Sequence, residues 1–170
     1  MLTIVLSATD DSEAVELSFE HSLLSISKWE KKTKKPFFGK EDKTSEEGAE
    51  YIKCMLVTEN VPDELLNKLS PDHVRSLTEY INETQSATWF REDPNQKKST
   101  EIITSELIYY WLVQFNIPFQ VESWHLSRLM TLVKIAGIKQ TKPKPMSKAQ
   151  QMEEYRRLNA ERRAATGSSG

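Results

Sequence analysis

Cysteine occurs once in the 170 residues, at Cys54. A lone thiol makes no internal disulfide and supplies no multi-cysteine zinc site, so a reducing compartment fits. Glycine is scarce at 5 residues and proline numbers 7, which argues against a protein of many tight β-turns and against a Gly-rich phosphate cradle. The three histidines, His21, His73 and His125, are scattered, and none has a second His or Cys three or four residues away, the spacing of a helical metal-ligand pair. Each reads as a surface or core-edge imidazole. Long apolar runs are missing as well. The opening MLTIVLSATDD has one short apolar stretch, no leading basic residues and no small-residue cleavage pattern, and reads as neither signal peptide nor membrane span. No period of repetition is present, which sets solenoids aside.

What is present is enough for one folded domain. Hydrophobic residues make up 38% of the chain, with 4 Trp, 5 Tyr and 6 Phe, too many for a wholly disordered protein. Charge is divided unevenly. From Lys139 to Gly170 there are eight basic and three acidic side chains, net +5, whereas residues 1–138 carry 15 basic and 22 acidic, net −7. The change falls at KQTKPKPMS, where Pro143 and Pro145 interrupt helical backbone and mark a linker. The expected organisation is a globular helical domain over 1–138 with an N-terminal β-hairpin, then a basic linker and C-terminal helix over 139–170.

Alternation in Leu2–Ser7 and again in Val15–Phe19, with DDSEA between, predicts the hairpin. His21–Lys28 reads as a short helical turn before Trp29, and EKKTKKPFFGKEDK as a charged loop around Phe37–Phe38. A capping box of Thr44 and Glu47 opens a helix with Tyr51, Cys54 and Met55 on its apolar face. Pro62 at a first helical position precedes a short helix, Asp63–Leu69. Ser70–Pro71–Asp72 begins another, bearing Val74, Leu77, Tyr80 and Ile81. A polar loop follows, in which SATWF has strand composition. Thr100–Asn116 is apolar on most of its circumference. Ser123 is expected to cap Trp124–Ala136, with Gly137 as its left-handed stop, and these two helices to pair antiparallel at the centre of the fold. Ser147 opens a last helix to about Ala165, with a narrow stripe of Ala149, Met152, Tyr155 and Leu158.

Catalytic groups do not converge in this pattern. Cys54 sits on a helical apolar face, where a thiol is normally a small buried hydrophobe. Trp124–His125 lacks an accompanying nucleophile motif. The acid pairs Asp10–Asp11, Glu46–Glu47 and Glu153–Glu154 are neighbours in sequence, so their side chains diverge. The reading is of a protein that is not an enzyme and needs no cofactor or metal.

Three segments taken together, SLLSISKWEKKTKKPFFGKEDKTSEEGAEYIKCM, EIITSELIYYWLVQFNIPFQVESWHLSRLMTLVKI and KPKPMSKAQQMEEYRRLNAERRAATGSSG, resemble a tailed-bacteriophage family of tail assembly chaperones. The likeness runs through most of the chain from about Ser22, and YYWLVQFNIPF followed by WHLSRLM is its most specific part. It implies a cytoplasmic helper in the infected bacterium that binds the tape measure protein, or other tail proteins, and keeps it soluble during tail assembly. A homo-oligomer is compatible with this; a membrane is not expected, and the acidic body weighs against nucleic acid. Candidate partner contacts are Tyr109 and Trp111 on the apolar helix, and Met152, Tyr155, Leu158, Arg156 and Arg162 on the last one. The competing reading makes Tyr109, Tyr110, Trp111 and Phe115 plain core. A virion structural protein of the tail tip or connector, or a regulator binding nucleic acid through the basic tail, are the alternative functions.

Overall fold

The computed structural model describes residues 1–6, 14–90, 101–140 and 148–166. The Asp10–Asp11 pair, the EDPNQKK stretch, the Pro143–Pro145 linker, the Ser147 cap and the last four residues lie outside them. The protein is mainly helical, with an N-terminal two-stranded antiparallel hairpin and a C-terminal helix. It divides into two compact units, residues 1–138 and 139–170.

Strands β1 (Leu2–Leu6) and β2 (Val15–Phe19) pair with Leu2 opposite Phe19 and Ile4 opposite Leu17. The period of two then sends Ile4, Leu6, Leu17 and Phe19 into the core while Thr3, Val5 and Glu16 face outward. The outer edge of β2 is also occupied. Val57 N–H donates to Ser18 O at 2.8 Å, Glu20 N–H to Met55 O at 2.9 Å, and Ser18 N–H to Thr58 Oγ1 at 2.9 Å.

Helix α1 (Leu23–Thr33) is the hub, packing on α2 (Ser45–Met55) and against the later apolar helix. It is longer than the short turn expected before Trp29. Ser22 and Ser25 cap it reciprocally, Leu23, Ile26, Trp29 and Glu30 form its buried face, and Lys31 and Lys32 suit the negative end of its dipole. Trp29 Nε1–H donates to Glu47 O at 2.9 Å, joining α1 to the start of α2. The Thr44–Glu47 box caps α2 as its sequence predicts, and Tyr51, Cys54 and Met55 are buried.

Helix α3 is a single turn, Asp63–Leu66, with Pro62 outside it as the N-cap residue, so it stops short of Leu69. Helix α4 (Pro71–Asn82) starts from Ser70, buries Leu77 and Tyr80, and leaves Val74 exposed and Ile81 half-buried. SATWF forms no strand.

The apolar helix, α5, spans Ser105–Gln114 rather than Thr100–Asn116, because Thr104 Oγ1 accepts Leu107 N–H and sets the start. At the other end Asn116 takes φ 53°, and Ile117 N–H donates to Leu112 O at 2.8 Å, which completes a left-handed stop. Next comes a 3₁₀ turn, Phe119–Ser123, which contacts α1. Helix α6 spans Leu126–Gln140. Ser123 does not cap it, since Trp124 is extended, His125 bridges Ser22, and Leu126 N–H donates to His21 O at 2.7 Å. Tertiary pairing at the α1 entrance therefore delays the helix. Gly137 lies inside α6, where an added Cβ would stand 3.5 Å from Phe115 Cζ, an ordinary contact. Leu126, Leu129 and Val133 are buried; Met130 and Ile135 are half-buried. One core cluster takes in residues of the hairpin, α1, α2, α4, α5 and α6; α1 packs most extensively on α2 and then α5, and the expected α5–α6 pair is not among the extensive contacts.

In the second unit, α7 spans Lys148–Thr166. Among the described residues no helix is long and apolar enough to cross a membrane.

Candidate functional site

Helix α7 displays the large apolar side chains of its stripe rather than burying them. Met152, Tyr155 and Leu158 are 61%, 65% and 38% exposed, spaced three residues apart so that they form one ridge. Arg156 and Arg162 are exposed beside it, and Arg157 Nε lies 3.9 Å from Glu161 Oε1 one turn on. All five candidate residues of this helix are thus solvent-facing, and their alternation of apolar and guanidinium groups suits contact with an amphipathic surface.

The two α5 candidates are placed differently. Two residues apart on a helix, Tyr109 and Trp111 point to opposite sides. Tyr109 is half-buried, its hydroxyl donates to Glu122 Oε2 at 2.7 Å, and its ring meets Phe119 edge-on at 5.8 Å. Burial, then the Glu122 carboxylate, pushes its phenol well above the usual range. That pins the 3₁₀ turn to α5. Trp111 is half-buried in a concavity of about 700 Å³ with Phe90, Ile103, Phe115 and Met130, and Lys134 Nζ stands 4.2 Å from the Phe90 ring at its rim. The large apolar side chains of α5 that face solvent are Tyr110 and Val113. The helix is therefore core on one side, through Ile108 and Leu112, and surface on the other.

Two histidines that look unrelated in sequence meet in the interior. His21 and His125 are 5% and 3% exposed, their rings edge-on at 5.3 Å. Proton counting assigns their tautomers. Ser25 Oγ–H donates to Ser22 O at 2.7 Å, so the Tyr51 hydroxyl must donate to Ser25 Oγ at 3.1 Å. His21 Nδ1–H is then the donor to the Tyr51 oxygen, 2.5 Å away. His125 Nε2 faces the carbonyl of Tyr80 at 3.1 Å and donates, while its Nδ1 accepts from Ser127. The reading of each as a surface or core-edge imidazole is corrected for this pair; the signal lies in tertiary pairing and not in local spacing. Burial, and secondarily His125, lower the His21 pKa to about 4.

Glu30 is a buried carboxylate whose partners are backbone. Its Oε1 accepts Phe37 N–H at 2.7 Å and its Oε2 accepts Ser105 N–H at 2.8 Å, at the positive start of α5. One side chain thereby joins α1, the loop after it and α5. Cys54 is buried, and burial raises its thiol pKa. Among the described residues no three His, Cys, Asp or Glu side chains cluster as a metal site would require. No protein-family model, no curated protein and no solved structure matches this chain.

Proposed function

We propose that the protein is a tail assembly chaperone of a tailed bacteriophage, acting in the cytoplasm of the infected host. It binds the long helical tape measure protein and keeps it soluble while the tail is built. The observation that carries this reading is the exposed ridge Met152–Tyr155–Leu158, bordered by arginines, on a helix in its own compact unit. A helix with three exposed apolar side chains in register is suited to lie along another amphipathic helix. The resemblance of YYWLVQFNIPF and WHLSRLM to the chaperone family supplies the identity of that helix. The role is one of binding, with no reaction and no cofactor.

Co-expression with the tape measure protein of the same phage tests it. Soluble yield of that protein is expected to rise with this chain and to fall back when Met152, Tyr155 and Leu158 are replaced by Asp. Equal yield with and without the chain would refute the chaperone role. Recovery of the chain from purified virions by mass spectrometry would favour a tail structural protein.

A further inference from the structure

Helices α5 and α6 leave an apolar bowl between them. At one end the Phe115 ring stands against Gly137, but the two helices are not extensively packed, and Phe90 and Ile103 complete walls built from Trp111, Met130 and Val133. The space is about 700 Å³, within the roughly 300–1,000 Å³ usual for small-molecule sites.

The polar groups of this bowl are one-sided. Among the described residues on its walls Lys134 is the one charged side chain, with no carboxylate beside it. Its ammonium lies 4.2 Å from the Phe90 ring, and among the described residues no hydrogen bond or ion pair engages it. The Trp111 indole N–H likewise has no hydrogen-bond partner among them, whereas that of Trp29 donates to Glu47 O. The two hydroxyls on the walls are used within the fold. Thr131 Oγ1–H donates to Ser127 O at 2.8 Å, while Ser127 Oγ accepts Gln85 N–H at 3.0 Å and donates to His125 Nδ1 at 2.9 Å. A free cation and a free N–H thus stand on hydrocarbon walls, and their complement is an anion with an apolar body.

We propose that this bowl binds an aliphatic carboxylate of medium chain length, its carboxylate on Lys134 and its alkyl chain against Trp111, Phe115 and Met130. Charge complementarity fixes the sign of the ligand, because one cation with no acid beside it favours one negative charge. The walls fix its body. A peptide would bring a backbone amide with every residue onto side chains that are mostly hydrocarbon, and each N–H left unpaired there costs free energy, whereas an alkyl chain brings none. Nucleic acid is disfavoured because its repeating phosphates would meet a single lysine on a unit of net charge −7. The inference does not depend on the chaperone reading, since none of these residues belongs to α7.

The experiment uses the full chain and sodium decanoate below its micelle concentration, followed by tryptophan fluorescence and by titration calorimetry. Wild-type protein is expected to bind decanoate saturably, more tightly than decanol and far more tightly than decyltrimethylammonium, which carries the same chain with the opposite charge. Lys134→Met keeps the apolar stem of an exposed side chain and removes its charge. It should melt like the wild type, bind decanoate about tenfold more weakly and leave decanol binding unchanged. Lys134→Arg should retain decanoate binding. Equal decanoate affinity in Lys134→Met, no preference for decanoate over decyltrimethylammonium, or no saturable binding by the wild type would overturn the proposal. So would Lys134-dependent binding of a soluble peptide of Leu and Glu that is tighter than that of decanoate, which points to a protein partner.

Discussion

Helices α1 and α7 are built from similar material and used in opposite ways. Each has a few apolar residues at helical spacing among many charges, Leu23, Ile26 and Trp29 in α1 and Met152, Tyr155 and Leu158 in α7. In α1 that stripe is buried in the core, with α2, α5 and the 3₁₀ turn packed on the helix, and its ends are fixed by a capping box and a left-handed stop. In α7 the stripe stays exposed over a helix of 19 residues rich in Ala, Arg, Glu and Gln, which have high helix propensity. Whether an amphipathic stripe becomes core or surface is decided by what the rest of the chain brings to it, not by the stripe itself.

The comparison breaks most sharply if one apolar residue in each helix becomes Asp. Ile26→Asp places an unpaired carboxylate in a fully buried site and costs several kcal/mol, about the whole stability of a domain. The variant is expected to be unfolded by circular dichroism. Leu158→Asp, by contrast, should melt like the wild type. A cooperative, native-like melt for Ile26→Asp would remove α1 from the centre of the fold.

Next in size is Glu30. Its replacement by Ala orphans the N–H groups of Phe37 and Ser105, and roughly 4 kcal/mol should be lost in urea titration. Glu30→Gln keeps the volume but turns one acceptor into a donor facing an N–H, so it too should destabilise. A neutral outcome for both would mean that the loop after α1 and the start of α5 are held by other contacts.

A smaller effect concerns pH. His21 has a folded pKa of about 4 against an ordinary 6.5, so between these values the unfolded chain binds the extra proton and stability rises with pH. Stability should be flat with respect to this group above about pH 7 and fall as pH drops from 6.5 toward 4, by at most about 3 kcal/mol. Denaturant melts across that window check it. His21→Gln should lose most of that slope, at the cost of the Tyr51 contact. A wild-type profile that does not decline below pH 6.5 would show that the imidazole gains a compensating partner on protonation.

Local chemistry was legible where a few neighbouring residues decide the outcome. Alternation around Ile4 and Leu17 predicts the hairpin, and Thr44 with Glu47 and Ser70 with Pro71 predict two helix starts to the residue. It misled where distant parts of the chain intervene. Ser123 is a good capping residue, but the bond from Leu126 N–H to His21 O holds the preceding residues extended, and Gly137 continues its helix because nothing there calls for a positive φ. The meeting of His21 with His125 and the bridging by Glu30 have no local signature at all. Of the candidate contacts, the α7 ridge could be read as a narrow apolar stripe, but the opposite placements of Tyr109 and Trp111 depend on which face of α5 the core takes.

The smallest expected change in stability separates the two units most directly. A chain ending at Gln140 retains α6 whole, together with every buried apolar residue from Ile4 to Val133, and removes only the part beginning after the break in charge. Since Met152, Tyr155 and Leu158 are exposed, they contribute little burial, and the shortened chain should unfold within about 0.5 kcal/mol of the full one. On the proposed chaperone function, affinity for the tape measure protein should nevertheless fall, as in Tyr155→Asp in the full chain. If the shortened chain melts much earlier and binds equally well, α7 is a brace for residues 1–138 and the partner surface lies there, with exposed Tyr110 and Val113 of α5 the next residues to replace. If stability holds and affinity is lost, the contrast between a sealed stripe and an open one is the division of labour in this protein.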